Sequence, residues 1–130
     1  NNAGATVGDD QFSGAGAHAF FTPGRDYTSS IDIGALESFD SFSIANDIND
    51  RFQVAGTSGA TSGQRGFLYQ RGVLRNVNVF PPANTTATGI NNAGQIVGYA
   101  DEEGGIFAFA VRIDPCHIPA DATGSGEAPD

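Results

Sequence analysis

The stretch Gly89–Tyr99, GINNAGQIVGY, decides the fold, because the chain writes it three times. At its start the chain reads NNAGATVG (Asn1–Gly8), and in the middle INDRFQVAG (Ile48–Gly56). Asn49 to Asn91 is a step of 42 residues and Asn1 to Asn49 a step of 48, so the first unit is the longer. A second series confirms the register. Downstream of each Asn stands a small residue followed by Phe: Ala19-Phe20 in HAFF, Gly66-Phe67 in RGFLY and Ala108-Phe109 in FAFAV.

Both series have a physical reading. Asn92, Ala93 and Gly94 tolerate the left-handed region between two β-prone runs, which predicts a hairpin with Gly94 at positive φ and Gly4 as its counterpart. In the middle copy Phe52 stands where Gly94 stands, so that turn is expected to rely on Asn49 and Asp50 for positive φ and to differ in geometry. In the second series, strand alternation sends Phe20, Phe67 and Phe109 to one face and the small residue to the other. The three rings are expected to be buried in one common core layer, and the small residues to mark the close approach of another backbone.

Ten β-prone runs follow in order: ATVGD, HAFFT, SSIDIGA, DSFSIAN, FQVAGT, GFLYQ, VLRNVNV, TTATGI, QIVGYA and FAFAVRI. Only ALESFDSF (Ala35–Phe42) weakly suggests a helical turn. The reading is all-β, with about ten antiparallel strands in repeats of roughly 42 residues, propeller-blade-like, the alternative being a β-barrel or β-sandwich. Residues 1–113 form one repeat-built domain, and 114–130, rich in Pro, Gly and acid, a flexible tail. Ten strands make two and a half four-stranded units, the last unit lacking its third and fourth strands. Edge strands at both ends then invite a second polypeptide, either more repeats of a parent protein or a copy of this chain.

Composition sets the frame. The 130 residues are 39% hydrophobic, with 18 Gly, 10 Phe and neither Trp nor Met, as suits a turn-rich β fold with a Phe core. No apolar run approaches a membrane span. Fifteen acidic residues face six basic ones, all Arg, and the net charge of -9 excludes a role on nucleic acid or an anionic membrane surface. Cys116 is alone, so no intrachain disulfide forms, and no signal peptide is read at Asn1, which opens inside a repeat.

The HAF tripeptide His18–Phe20 and GINNAGQIVG at Gly89–Gly98 resemble the HAF repeat family of probable bacterial extracellular proteins. The resemblance covers roughly residues 1–112; the second copy departs from it, with RGF for HAF and NDRF for NNAG. It implies secretion or surface display, with the periplasm as a further location, and it transfers no catalytic residue.

The chain contains no GxSxG, HExxH, Walker loop or paired-Cys motif, and no catalytic residue is singled out. His18 occupies a repeat position shared with Arg65 and Phe107, which reads as structural. Carboxylates cluster at Asp9-Asp10 and at Asp101, Glu102 and Glu103; such loops are candidates for Ca²⁺ ligation or for a carbohydrate-active pair, against the plainer reading of solvated turns. Asn84-Thr85-Thr86 fits an N-glycosylation acceptor in an exposed loop. The function expected is a non-enzymatic extracellular repeat module, a binding or structural subunit of a larger assembly. The alternative is a carbohydrate-binding or carbohydrate-active β domain using loop carboxylates. Partners are a protein chain or a copy meeting edge strands, and glycan.

Overall fold

Strand-forming runs separated by short turns build sheets whose neighbours in space are neighbours in sequence. The computed structural model describes residues 1–11, 16–37, 41–61, 63–77, 84–102 and 104–112. Sheet 1 holds β1 (Thr6–Gln11), β2 (Ala17–Thr22) and β3 (Ile31–Gly34). Sheet 2 holds β4 (Ser43–Ile48), β5 (Val54–Ala60), β6 (Gly63–Gln70) and β7 (Val73–Asn76), and sheet 3 holds β8 (Asn84–Ile90), β9 (Gln95–Glu102) and β10 (Gly105–Arg112). All pairings are antiparallel meanders, so the chain is all-β, and the ten strands among the described residues match the ten runs read from sequence. A single 3₁₀ turn, Tyr27–Ser29, is the one helical piece among the described residues. No helix among them is long and apolar enough to cross a membrane.

The strands divide three, four and three. Among the described residues only sheet 2 has four strands; β1, β2 and β3 correspond to β5, β6 and β7, while β8, β9 and β10 correspond to β4, β5 and β6. The expected division into two and a half units, with two strands absent from the last, is corrected on this point, because the third unit contains its third strand. The proposed tail beyond residue 113 and Cys116 lie outside the described residues.

The sheets stack face to face in chain order around two apolar layers. Between sheets 1 and 2 lie Ala19, Ile33, Ala45, Val54, Phe67 and Tyr69. Between sheets 2 and 3 lie Ala55, Leu68, Ala87, Ile96, Ala100 and Phe109. Phe67 and Phe109 therefore occupy different layers, each facing the preceding sheet, and Phe20, on the first sheet among the described residues, is only half-buried. The expectation of one common layer fails for that reason: equivalent residues of stacked repeats face successive gaps, not one centre.

Each ring lies across a glycine on the neighbouring strand, as the registers Gly8↔Phe20, Gly56↔Phe67 and Gly98↔Phe109 show. A Cβ on Gly56 would stand 2.1 Å from the Ile44 carbonyl oxygen and 2.6 Å from the Phe67 ring; on Gly98 it would meet the Thr86 carbonyl oxygen at 2.0 Å. Those carbonyls belong to strands with register shifts at equivalent places, Ala45/Asp47 and Ala87/Gly89. The glycine thus admits both an aromatic ring and a bulged backbone. Opposite the rings, Ala19 and Gly66 do mark a close approach, while Ala108 is exposed. The Ala19 N–H donates to Ser43 Oγ and the Gly66 N–H to Thr85 Oγ1, both at 2.8 Å, so the first strand of each following sheet is pinned to the equivalent strand, β2 or β6, of the one before.

Candidate functional site

The Asn loops hold the stack together at one end. Asn91 Oδ1 accepts from Ala93 N and Gln95 N, and the same pair of bonds recurs from Asn49 to Arg51 and Gln53 and from Asn1 to Ala3 and Ala5. Each loop closes with Gly4 N, Phe52 N or Gly94 N donating to the carbonyl of its Asn. Gly94 takes φ 80° and Gly4 φ 88°, as read from the sequence. Phe52 takes φ 60°, so the middle loop keeps the geometry of the others and the left-handed residue is Phe52 itself. The expected different turn built on Asn49 and Asp50 is corrected: the side-chain acceptor of Asn49 fixes the loop and leaves position 52 no other conformation.

Between loops the contacts form a ladder. Asn1 Nδ2 donates to the Asn49 carbonyl at 3.0 Å and Asn49 Nδ2 to the Asn91 carbonyl at 2.8 Å. Beside it, Asp50 accepts from the Asn2 N–H (2.8 Å), from Asn2 Nδ2 (2.6 Å) and from Asn92 Nδ2 (3.0 Å), and its own N–H donates to Asn92 Oδ1. These donors hold the Asp50 carboxyl below its ordinary range, the Asn2 backbone N–H contributing most.

The far face of sheet 3 ends the series. Cross-strand pairs Val97↔Ala110 and Tyr99↔Ala108 place these residues on the face away from sheet 2. One repeat earlier their counterparts are Ala55, Leu68, Thr57 and Gly66, all buried beneath sheet 3. Val97 is 48% exposed and Tyr99 41%, against 0% for Ala55 and 1% for Leu68. A groove of about 360 Å³ lined by Gly89, Ile90, Asn91, Gln95, Val97 and Ala110 runs along this face.

A second concavity, of about 590 Å³, opens between sheets 1 and 2. Phe21 of β2 is its centre: its ring meets Phe52 at 6.1 Å and 66°, and Tyr69 at 6.3 Å and 57°. Arg51, from the middle Asn loop, and Arg71, from the turn between β6 and β7, line its rim. Arg71 and Gly72 both have positive φ, 53° and 81°, the type I′ turn that joins two strands through two residues. No carboxylate is among the lining residues, and among the described residues neither guanidinium has an ion-pair partner; Arg51 Nη1 reaches only the Asn92 carbonyl, at 3.5 Å. Sequence reading passed over this cleft, although a signal was present: Arg51, Phe52 and Tyr69 replace the Ala93, Gly94 and Val111 of the next repeat.

The residues proposed from sequence are dispersed. Asp101 is exposed at the end of β9, Glu102 follows it in the strand, and Glu103 lies outside the described residues. Among the described residues no three His, Cys, Asp or Glu side chains are grouped to hold a metal. Asn84 is not in an exposed loop but opens β8, half-buried, with its Oδ1 accepting from Gln64 N at 2.9 Å. His18 is fully buried and its Nδ1–H donates to Asp32 at 3.0 Å, tying β2 to β3. Comparison with family models, curated proteins and solved structures finds no match to this chain.

Proposed function

We propose that the chain is a non-enzymatic extracellular repeat module, a binding or structural subunit that continues head to tail into a second copy of itself. The observation that carries this is the exposure of Val97, Tyr99, Ala108 and Ala110, at positions whose counterparts in the second unit, Ala55, Thr57, Gly66 and Leu68, are all buried; in the first unit Ala19 is buried, Val7 and Phe21 are half-buried and Asp9 is exposed. The complementary surface is on the same molecule. Thr6, Gly8 and Phe20 of sheet 1 are the counterparts of Ile96, Gly98 and Phe109, the face by which sheet 3 covers sheet 2. The ladder extends the same way: Asn49 Nδ2 serves Gln53 and the next carbonyl, while Asn91 Nδ2 serves Gln95, and a copy's Asn1 carbonyl is the acceptor next in series. Edge strands β1 and β10 would lie at the same junction. Two copies would supply six sheets, within the range of closed propellers. The resemblance of His18–Phe20 and Gly89–Gly98 to the HAF repeat family supports a place outside the cell.

Light scattering at micromolar concentration tests the reading. A mass above that of one chain is expected, reverting to one chain in Val97→Asp and in Ala110→Asp. A single-chain mass throughout, or an assembly indifferent to both substitutions, overturns it.

A further inference from the structure

We infer that the cleft between sheets 1 and 2 binds a carboxylate-bearing carbohydrate, of the uronic acid type, with Arg51 and Arg71 taking the carboxylate and the Phe52 ring carrying the sugar face. The cleft lies within one chain, so this holds whether or not copies associate.

Four observations converge. The first is the pattern of departure from the repeat: Arg51, Phe52 and Tyr69 stand where the next unit has Ala93, Gly94 and Val111, and all three line this one concavity. A stack of sheets needs only the small residues, as the third unit shows. The second is backbone strain. Phe52 at φ 60° is held in the left-handed region, which a non-glycine residue adopts only at a cost, at a position where both sister loops use glycine. The third is the ring's placement: Phe52 is 39% exposed at the mouth, while Phe21 and Tyr69 beneath it are more covered. A strained backbone that presents an aromatic face to solvent is a surface built for a partner, and a flat ring with an apolar face matches the C–H face of a pyranose.

The fourth is charge. The chain carries -9 overall, yet two of its six arginines meet here with no lining carboxylate. Screening confines the distant acids, since the Debye length is about 8 Å at physiological salt, so the local cations decide what enters. A guanidinium presents a planar fork that matches a carboxylate by two parallel hydrogen bonds. The volume, about 590 Å³ and open to solvent, admits sugar units of a chain that passes through.

Calorimetry with the full chain tests the assignment, using a short oligogalacturonide, a neutral cello-oligosaccharide of equal length, and inorganic phosphate. Saturable binding of the oligogalacturonide alone is expected, weakened about tenfold in Arg51→Gln and in Arg71→Gln, with Arg71→Lys intermediate. Phe52→Asn removes the ring yet tolerates the left-handed region, so it should lower affinity while the melting temperature holds or rises. That split separates a ligand contact from a packing role. Equal binding of the neutral oligomer overturns the part given to the arginines; phosphate binding as tightly overturns the sugar; no binding, or unchanged binding in all four variants, overturns the site.

Discussion

Gly56 and Gly98 show at single-residue scale how closely the sheets are built. Gly56→Ala should destabilise by about 1–3 kcal/mol or more, since the new methyl meets a backbone carbonyl as well as a ring, and a carbonyl in a bulged strand has nowhere to go. Gly24→Ala, with nothing within 4 Å, is the control and should be near neutral in the same urea titration. The rings themselves are unequal. Phe67→Ala, at a fully buried site, should cost about 3–5 kcal/mol, and the half-buried Phe20 clearly less, because part of its surface is already in water. Equal losses would mean that the outer face of sheet 1 is covered in solution. Gly94→Val should destabilise well beyond Ala93→Val, because a β-branched residue fits φ 80° badly and Ala93 is exposed. Gly94 was legible from sequence because glycine is the usual answer to that backbone. Phe52 was not, because a local preference of 1–2 kcal/mol is small enough for a hydrogen-bonded loop to override.

At the scale of elements, the Asn loops couple neighbouring sheets and give the stack a pH dependence. The Asp50 carboxyl lies below its ordinary value in the folded chain, so its contribution is present above the carboxylate range and is lost as pH falls through the depressed value. Stability in urea should therefore decline below about pH 4, and Asp50→Asn should flatten part of that decline. Asp26 and Glu37, also lowered by their bonds from Thr28 and Thr61, keep a share of the slope in that variant. An unchanged acid limb in Asp50→Asn would mean the Asn2–Asp50–Asn92 link does not persist in solution. The strands were legible individually, since turn signals bound each of the ten runs. Their grouping was less so. Whether a run closes one sheet or opens the next depends on inter-sheet bonds such as Gly66 N–H to Thr85 Oγ1, which leave no local mark beyond a Ser or Thr at the start of a strand. The cleft was hidden for a related reason: its walls come from β2, the middle Asn loop and the β6–β7 turn, and only the stacking of sheet 1 on sheet 2 brings them together.

For the whole molecule, the order of the sheets sets an order of local stability. A stack in which each sheet touches only its neighbours behaves as a one-dimensional array, with stability summed from units and the junctions between them. Among the described residues, sheet 2 is covered on both faces and holds the fully buried Phe67, Leu68 and Val54, whereas sheet 3 is covered on one face only. Amide hydrogen exchange should then be slowest in β5 and β6 and faster in β9, although β9 like β5 has a paired neighbour on each side, and faster still in the edge strand β10. The comparison becomes decisive when protein concentration is varied. If the outer face of sheet 3 receives sheet 1 of a second copy, exchange in β9 and β10 and in β1 and β2 should slow together as concentration rises, while β5 and β6 stay unchanged, because their faces are already filled within one chain. Binding to the native state alone would slow those amides in proportion to its occupancy. Slowing confined to β9 and β10 would point to a partner other than sheet 1, and exchange independent of concentration in all three sheets would leave Val97 and Tyr99 as ordinary surface.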